Sequence, residues 1–178
     1  SEIPLPGILT PELTLPPAMF FAVPIQNSAK TTLAVLVVRV NPSKELTNIL
    51  QFSQFRESGE TYAFNGDGFL LSDIRFTDQV ESLGLIPEDF QAPFNLELRD
   101  PGGNLLQGFT PITPRGRLPH TLPVLNSLAS SLMCVGQGTS GIIVNTIGYN
   151  DYRGVSVFGA WVWNYDLDMG IVCKIDVE

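Results

Sequence analysis

The chain has 178 residues, of which 44% are hydrophobic and 16% charged, and its net charge at pH 7 is −8. This length and composition predict one globular domain, or one domain with part of a second. The basic residues are too thinly spread to favour nucleic acid or anionic lipid as partners. No apolar run is long enough to span a bilayer and no signal peptide is recognisable, so we expect any such segment of the parent protein to lie outside this sequence.

The first third of the chain predicts an extended segment, a hairpin and a helix. Residues 1–17 contain five prolines and are expected to be an irregular lead-in. Residues 18–25 and 32–40 have strand composition, and the polar residues 26–31 between them predict a hairpin loop. Asn41 as N-cap and Pro42 at the first helical position then predict a helix that continues to about residue 56.

The middle of the chain predicts a second hairpin followed by short elements. Residues 59–64 and 69–72 are predicted strands around Asn65-Gly66-Asp67-Gly68, whose Asn-Gly and Asp-Gly pairs favour tight turns. A calcium loop is excluded there because the further ligands of an EF-hand are missing. A short helix capped by Thr77 is predicted over 77–83, a short strand over 96–98, and a proline-broken loop over 104–119.

The last third predicts a helix and three strands. Leu122, Leu125, Ala129 and Leu132 recur at helical spacing, with Thr121 as the expected cap. Strands are predicted over 141–149, 155–163 and 169–177, the last two as a long hairpin of central strands covered on both faces. Because strands and helices do not alternate regularly, the fold class is α+β, an antiparallel sheet flanked by helices.

Two stretches carry a resemblance to a known family. Asn150-Asp151-Tyr152-Arg153-Gly154-Val155, followed by a hairpin that ends in Cys173-Lys174-Ile175-Asp176, resembles the end of the extracytoplasmic Cache sensor domains of bacterial membrane receptors. A second resemblance lies at residues 59–76, which begin with Gly59-Glu60-Thr61-Tyr62. This stretch is similar to a sequence motif that Cache domains often carry. Lys174 stands where these domains usually have an acidic residue.

The resemblance implies a PAS-like fold and a place in a receptor. Residues 18–56 would be a hairpin and linker helix from the end of a distal Cache module, or their strands would join the only domain present. Residues 57–178 would be a membrane-proximal Cache domain. The parent protein would be a membrane-anchored bacterial signalling protein with this part outside the cytoplasm. In double Cache receptors the ligand usually sits in the distal module, most of which is absent from this sequence.

Catalysis, metal binding and cofactor binding are not expected. Gly136-Gln137-Gly138-Thr139-Ser140-Gly141 matches G-x-G-x-x-G, but it follows a helix and precedes a strand, the reverse of a dinucleotide site. His120 has no nucleophile motif to serve. Cys134 and Cys173 lack zinc-site spacing; we expect them to be close in space, either bonded or as two buried thiols.

One set of residues near predicted strand ends could grip a small organic acid or amino acid. Arginine can hold a carboxylate through two hydrogen bonds, and tyrosine can wall a pocket. The alternative is internal pairing that pins loops to the sheet, with Arg153 bound to Asp73 or Asp151. The candidate residues are Asp73, Arg75, Arg99, Tyr149, Asp151, Tyr152 and Arg153.

Three hypotheses of function follow. The first is a sensor domain that binds a small molecule, and the second is a structural module that sets receptor spacing or forms a homodimer without a ligand. The third, an enzyme, has the least support because no nucleophile and base occur together. For the fold, we predict that residues 59–73 and 141–177 share one antiparallel sheet with helix 121–135 packed against it.

Overall fold

The structure is a computed structural model that describes residues 18–50, 55–87, 89–133, 138–139 and 141–177. The chain divides into two compact units, with the boundary between Asn41 and Pro42. Within the described residues, no helix combines the length and the apolar character needed to cross a membrane.

The described part of the first unit is a single antiparallel hairpin. Strand β1 (Met19–Gln26) pairs with strand β2 (Thr32–Val40), as the sequence predicted. The side chain of Asn27 closes the loop by accepting hydrogen bonds from the backbone N–H groups of Ala29 and Thr31, at 3.0 and 2.9 Å. Most of the hairpin's apolar side chains, on both faces, are exposed.

The second unit is built on a four-stranded antiparallel sheet. Its strands are β3 (Glu60–Asn65), β4 (Ile143–Asn150), β5 (Ser156–Asn164) and β6 (Met169–Asp176), in the spatial order β3-β6-β5-β4. The prediction that the two ends of this unit share one sheet is therefore confirmed. The final hairpin, β5 and β6, occupies the centre of the sheet, which is also as predicted.

Three α-helices in the described part of the second unit accompany the sheet. They are α1 (Pro42–Leu50), α2 (Thr77–Ser82) and α3 (Leu122–Met133). Helix α3 contacts β5 and β6, which confirms the predicted packing, and α1 contacts β3. Two 3-10 turns, Leu105–Gln107 and Arg115–Arg117, shape the loop between α2 and α3. The described residues thus form an α+β fold with two antiparallel sheets.

The main core lies on one face of the four-stranded sheet. Alternation along β5 turns Val157, Trp161 and Trp163 inward, where they are buried with Tyr62 of β3 and Val124 of α3. The other face is only partly covered. A small cluster of Leu50, Ala63, Leu71 and Met169 lies there, with Leu46 of α1 packed against it, but Phe158 and Cys173 are exposed. The prediction of strands covered on both faces is wrong for this face.

Some local predictions also fail. Residues 69–72 do not form a strand, because Phe69 and Leu70 make only isolated bridges to Glu97 and Phe64. The N-cap of α2 is Phe76 and not Thr77, and it makes no side-chain capping bond. The hydroxyl of Thr121 has no hydrogen-bond partner among the described residues, so it does not cap α3. Cys134 lies outside the described residues, so its proximity to Cys173 stays a prediction.

Candidate functional site

A network of buried charges lies at one end of the four-stranded sheet, where β3 and β5 begin and β6 ends. We call it the buried charge network, and it consists of Glu60, Asp151, Arg153, Lys174 and Asp176. The first four have 2% or less of their surface exposed, and the Asp176 side chain has 24%. Charges this deeply buried are retained only when they are paired and hydrogen-bonded.

Lys174 joins the two most deeply buried carboxylates. Its Nζ lies 2.8 Å from Oε2 of Glu60 and 2.8 Å from Oδ2 of Asp151. Glu60 and Lys174 are direct partners across β3 and β6, so the sheet register itself creates this ion pair. Burial alone would lower the pKa of Lys174, but the two carboxylates outweigh it and raise the pKa above its usual value.

Arg153 forms the second half of the network. Its backbone N–H and its Nε donate to the two carboxylate oxygens of Asp151, each at 2.8 Å. Its remaining nitrogens donate to Oδ1 of Asp176 at 2.7 Å and to Oε1 of Gln79 in α2 at 3.0 Å. The guanidinium carbon also lies 3.7 Å from the centre of the Phe76 ring, which is a cation–π distance.

The carboxylates are satisfied as fully as the cations. Glu60 accepts from the phenol of Tyr152 at 3.0 Å and from the backbone N–H of Arg75 at 2.8 Å. Burial would raise the pKa of Asp151, but the charges of Lys174 and Arg153 outweigh it and hold the pKa below its usual value. Asp151 therefore stays ionised at neutral pH, and each charged side chain of the network has a partner of opposite charge within it.

The structure brings three of the seven predicted site residues together. Asp151, Tyr152 and Arg153 meet in or beside the buried charge network, and Arg153 binds Asp151, one of the two partners that the internal-pairing hypothesis named. The alternative partner, Asp73, has no ion pair to Arg153 in the described part of the chain.

The other four predicted residues lie elsewhere. The side chain of Arg75 is exposed and donates to the carbonyl groups of Arg56 and Gly59, each at 3.0 Å. Tyr149 is buried and packs edge-on against Trp161, with ring centres 5.7 Å apart. Arg99 pairs with Glu97. Asp73 lines a cleft of about 830 Å³ beside α2, where burial raises its pKa and a hydrogen bond with Thr47 partly offsets the rise.

Sequence reasoning missed Glu60, Lys174 and Asp176. A signal for the first two was present in the alternation, because Tyr62 and Phe64 place Glu60 on the inward face of β3, and Val172 likewise places Lys174 on that of β6. Two opposite charges on inward positions of two strands indicate a buried ion pair. The same alternation places Asp176 on the inward face of β6, but the local sequence did not indicate that it would reach Arg153.

Comparison with protein-family models, curated proteins and solved structures finds no match to this chain. Among the described residues, no group of three or more histidine, cysteine, aspartate or glutamate side chains is arranged to hold a metal ion. The buried charge network is hydrogen-bonded to α2 through Gln79, and residues of α2 line two clefts.

Proposed function

We propose that this chain is a PAS-like Cache domain, an extracytoplasmic sensor of a membrane-anchored bacterial signalling protein. It senses a small molecule and relays the signal across the membrane. One observation carries the proposal. The two stretches that resemble Cache domains, residues 59–76 and 148–178, are far apart in sequence but supply all members of the buried charge network. Because both stretches contribute to one cluster of side chains, their two resemblances support the proposal together more strongly than they would if the stretches lay apart.

The position of α2 supports a sensing role. Residues of α2 and its C-terminal turn line two clefts, which include Thr77 and Glu81 on one side and Ser82 and Leu83 on the other. Gln79 in the middle of α2 accepts a hydrogen bond from Arg153, which also holds Asp176 at the end of β6. A ligand that favours one position of α2 would therefore bias the end of the last strand.

A second function is favoured by a different observation. Asp151, Tyr152 and Arg153 are fully engaged with internal partners, as expected of a structural module that binds no small molecule. The hairpin of the first unit also exposes Val23, Leu36 and Val38 among other apolar side chains, which suits a surface that contacts another protein. In this reading the chain sets the spacing of a receptor or forms its dimer.

A thermal-shift screen against amino acids, organic acids and amines separates the two functions. A ligand that binds the folded state raises the melting temperature by mass action, by an amount that grows with its concentration. The sensor proposal expects at least one such compound. A chain that responds to no compound, but sediments as a concentration-dependent dimer, would instead support the structural module.

A further inference from the structure

A cleft of about 570 Å³ opens between the C-terminal end of α2 and the loop that contains both 3-10 turns. Its volume is within the range of small-molecule sites, which hold roughly 300–1,000 Å³. Its wall combines polar and apolar surface, and its apolar side chains include Leu83, Leu85, Leu105, Phe109 and Leu118. Among the described residues, Arg115 in the second 3-10 turn is the one ionisable side chain that lines it.

Arg115 forms no ion pair with a carboxylate of the described residues. Its guanidinium donates to the backbone carbonyl of Glu97 at 2.8 Å, and no carboxylate of the described residues lies within ion-pair distance of it. The Glu97 carboxylate is instead paired with Arg99, whose positive charge acts on Arg115. Burial, and then Arg99, lower the pKa of Arg115, against the opposing effect of Glu97.

We propose that this cleft binds a small monocarboxylate with an apolar body, whose carboxylate pairs with Arg115. The inference rests on the proposed sensing function and gives it a site and a ligand class. A carboxylate matches the guanidinium in shape and charge. A single cation and the nearby Glu97 favour one negative charge over several, and the leucine and phenylalanine side chains favour a branched or aromatic body.

The first test compares matched probes on matched variants. Isovalerate and phenylacetate should raise the melting temperature and bind in calorimetry, and their uncharged amides should bind at least about tenfold more weakly, as expected for loss of a charge-assisted hydrogen bond. Arg115→Gln should abolish the preference for the acid. Arg117→Gln is the matched control, because Arg117 is exposed in the same 3-10 turn and does not line the cleft.

A second variant tests the site independently, in case Arg115→Gln does not fold. Thr110 is exposed and lines the cleft, so Thr110→Trp should occupy the site and weaken binding without touching the core. Gln107→Trp, at an exposed position outside the cleft wall, should bind normally. Equal binding of acid and amide, or normal binding by Thr110→Trp, would overturn the assignment.

The outcomes also separate this inference from the sensing function. If neither acid binds but another compound of the screen binds equally well to wild type, Arg115→Gln and Thr110→Trp, the sensor proposal would stand and this site would be refuted. A chain that binds neither these acids nor any compound of the wider screen would refute both.

Discussion

The guanidinium of Arg153 lies 2.7 Å from the carboxylate of Asp176, which ties the turn before β5 to the end of β6. The same guanidinium binds Asp151 in its own turn and Gln79 in α2. One side chain thus connects three segments of the second unit, and its removal would leave Asp151 and Asp176 without their shared cation.

Replacing Arg153 tests whether this connection is structural. We expect Arg153→Ala to lower the free energy of unfolding by about 3–5 kcal/mol, the usual cost of removing one partner of a buried ion pair. The measurement is urea denaturation without ligand, with the exposed Arg117→Ala as control. If Arg153→Ala kept wild-type stability but lost ligand binding, Arg153 would be a ligand-binding residue instead.

A double-mutant cycle tests the ion pair between β3 and β6. Lys174→Met leaves the buried carboxylate of Glu60 without its cation, and Glu60→Gln leaves Lys174 with Asp151 alone. The double variant should be more stable than the sum of the single losses predicts, by about 0.5–3 kcal/mol, because the two groups interact directly. If chemical denaturation shows that the two single losses in the free energy of unfolding simply add up in the double variant, Glu60 and Lys174 do not stabilise the fold through each other.

The network predicts a specific dependence of stability on pH. The pKa of Asp151 is lowered in the folded protein, so its contribution is complete above about pH 4, the pKa of an unfolded aspartate, and is lost as the pH falls through the lower folded value. The pKa of Lys174 is raised, so its contribution is complete below about pH 10 and is lost above the higher folded value. Neither group changes its protonation between about pH 5 and 9, so the two groups should not make the free energy of unfolding vary with pH in that range.

Asp151→Asn checks this assignment. The variant should be less stable than the wild type at neutral pH, and the difference should shrink as the pH falls below about 4. Unfolding by urea at a series of pH values gives both curves. A difference that stays constant down to the acid limit would mean that Asp151 does not titrate as its environment requires.

Gly154 is required by the tight turn that positions Arg153. Its φ of 74° is unfavourable for other residues, and a Cβ there would lie 1.8 Å from the carbonyl oxygen of Gly103. We expect Gly154→Ala to destabilise the protein by about 2–4 kcal/mol. Gly116→Ala is the control, because Gly116 has no positive φ and no atom within 4 Å of its Cβ position. Similar melting temperatures for the two variants would contradict this account.

Most of the fold could be predicted because its signals are local. Alternation along residues 155–163 predicts one face made of Val155, Val157, Trp161 and Trp163; the last three are buried, and Val155 is partly buried against the same core. The exception near residues 69–72 has a physical reason. The backbone of Leu70 bonds to Leu96 and that of Leu71 to Ala63, so the segment divides its hydrogen bonds between two partners and joins no regular ladder.

The site was harder to predict because its contacts are not local. The sequence predicted Tyr152, Arg153 and the neighbouring Asp151 as site residues, but the other partners of Tyr152 and Arg153 come from β3, α2 and β6. Arg115 was not recognised at all. Its position in the cleft wall depends on how the loop of residues 104–119 folds, and no periodic pattern describes that loop.

The pairing of Glu60 with Lys174 also has a consequence for the order of folding. It joins the first strand of the second unit to the last, so nearly the whole unit must be in place before β3 can add to the sheet. Closing such a long loop is entropically costly, and this cost must be met before the contact between the two strands can stabilise the sheet. We therefore expect the β5–β6 hairpin to form early and β3 to join late. Lys174→Met should then accelerate unfolding strongly in stopped-flow experiments and change the folding rate little.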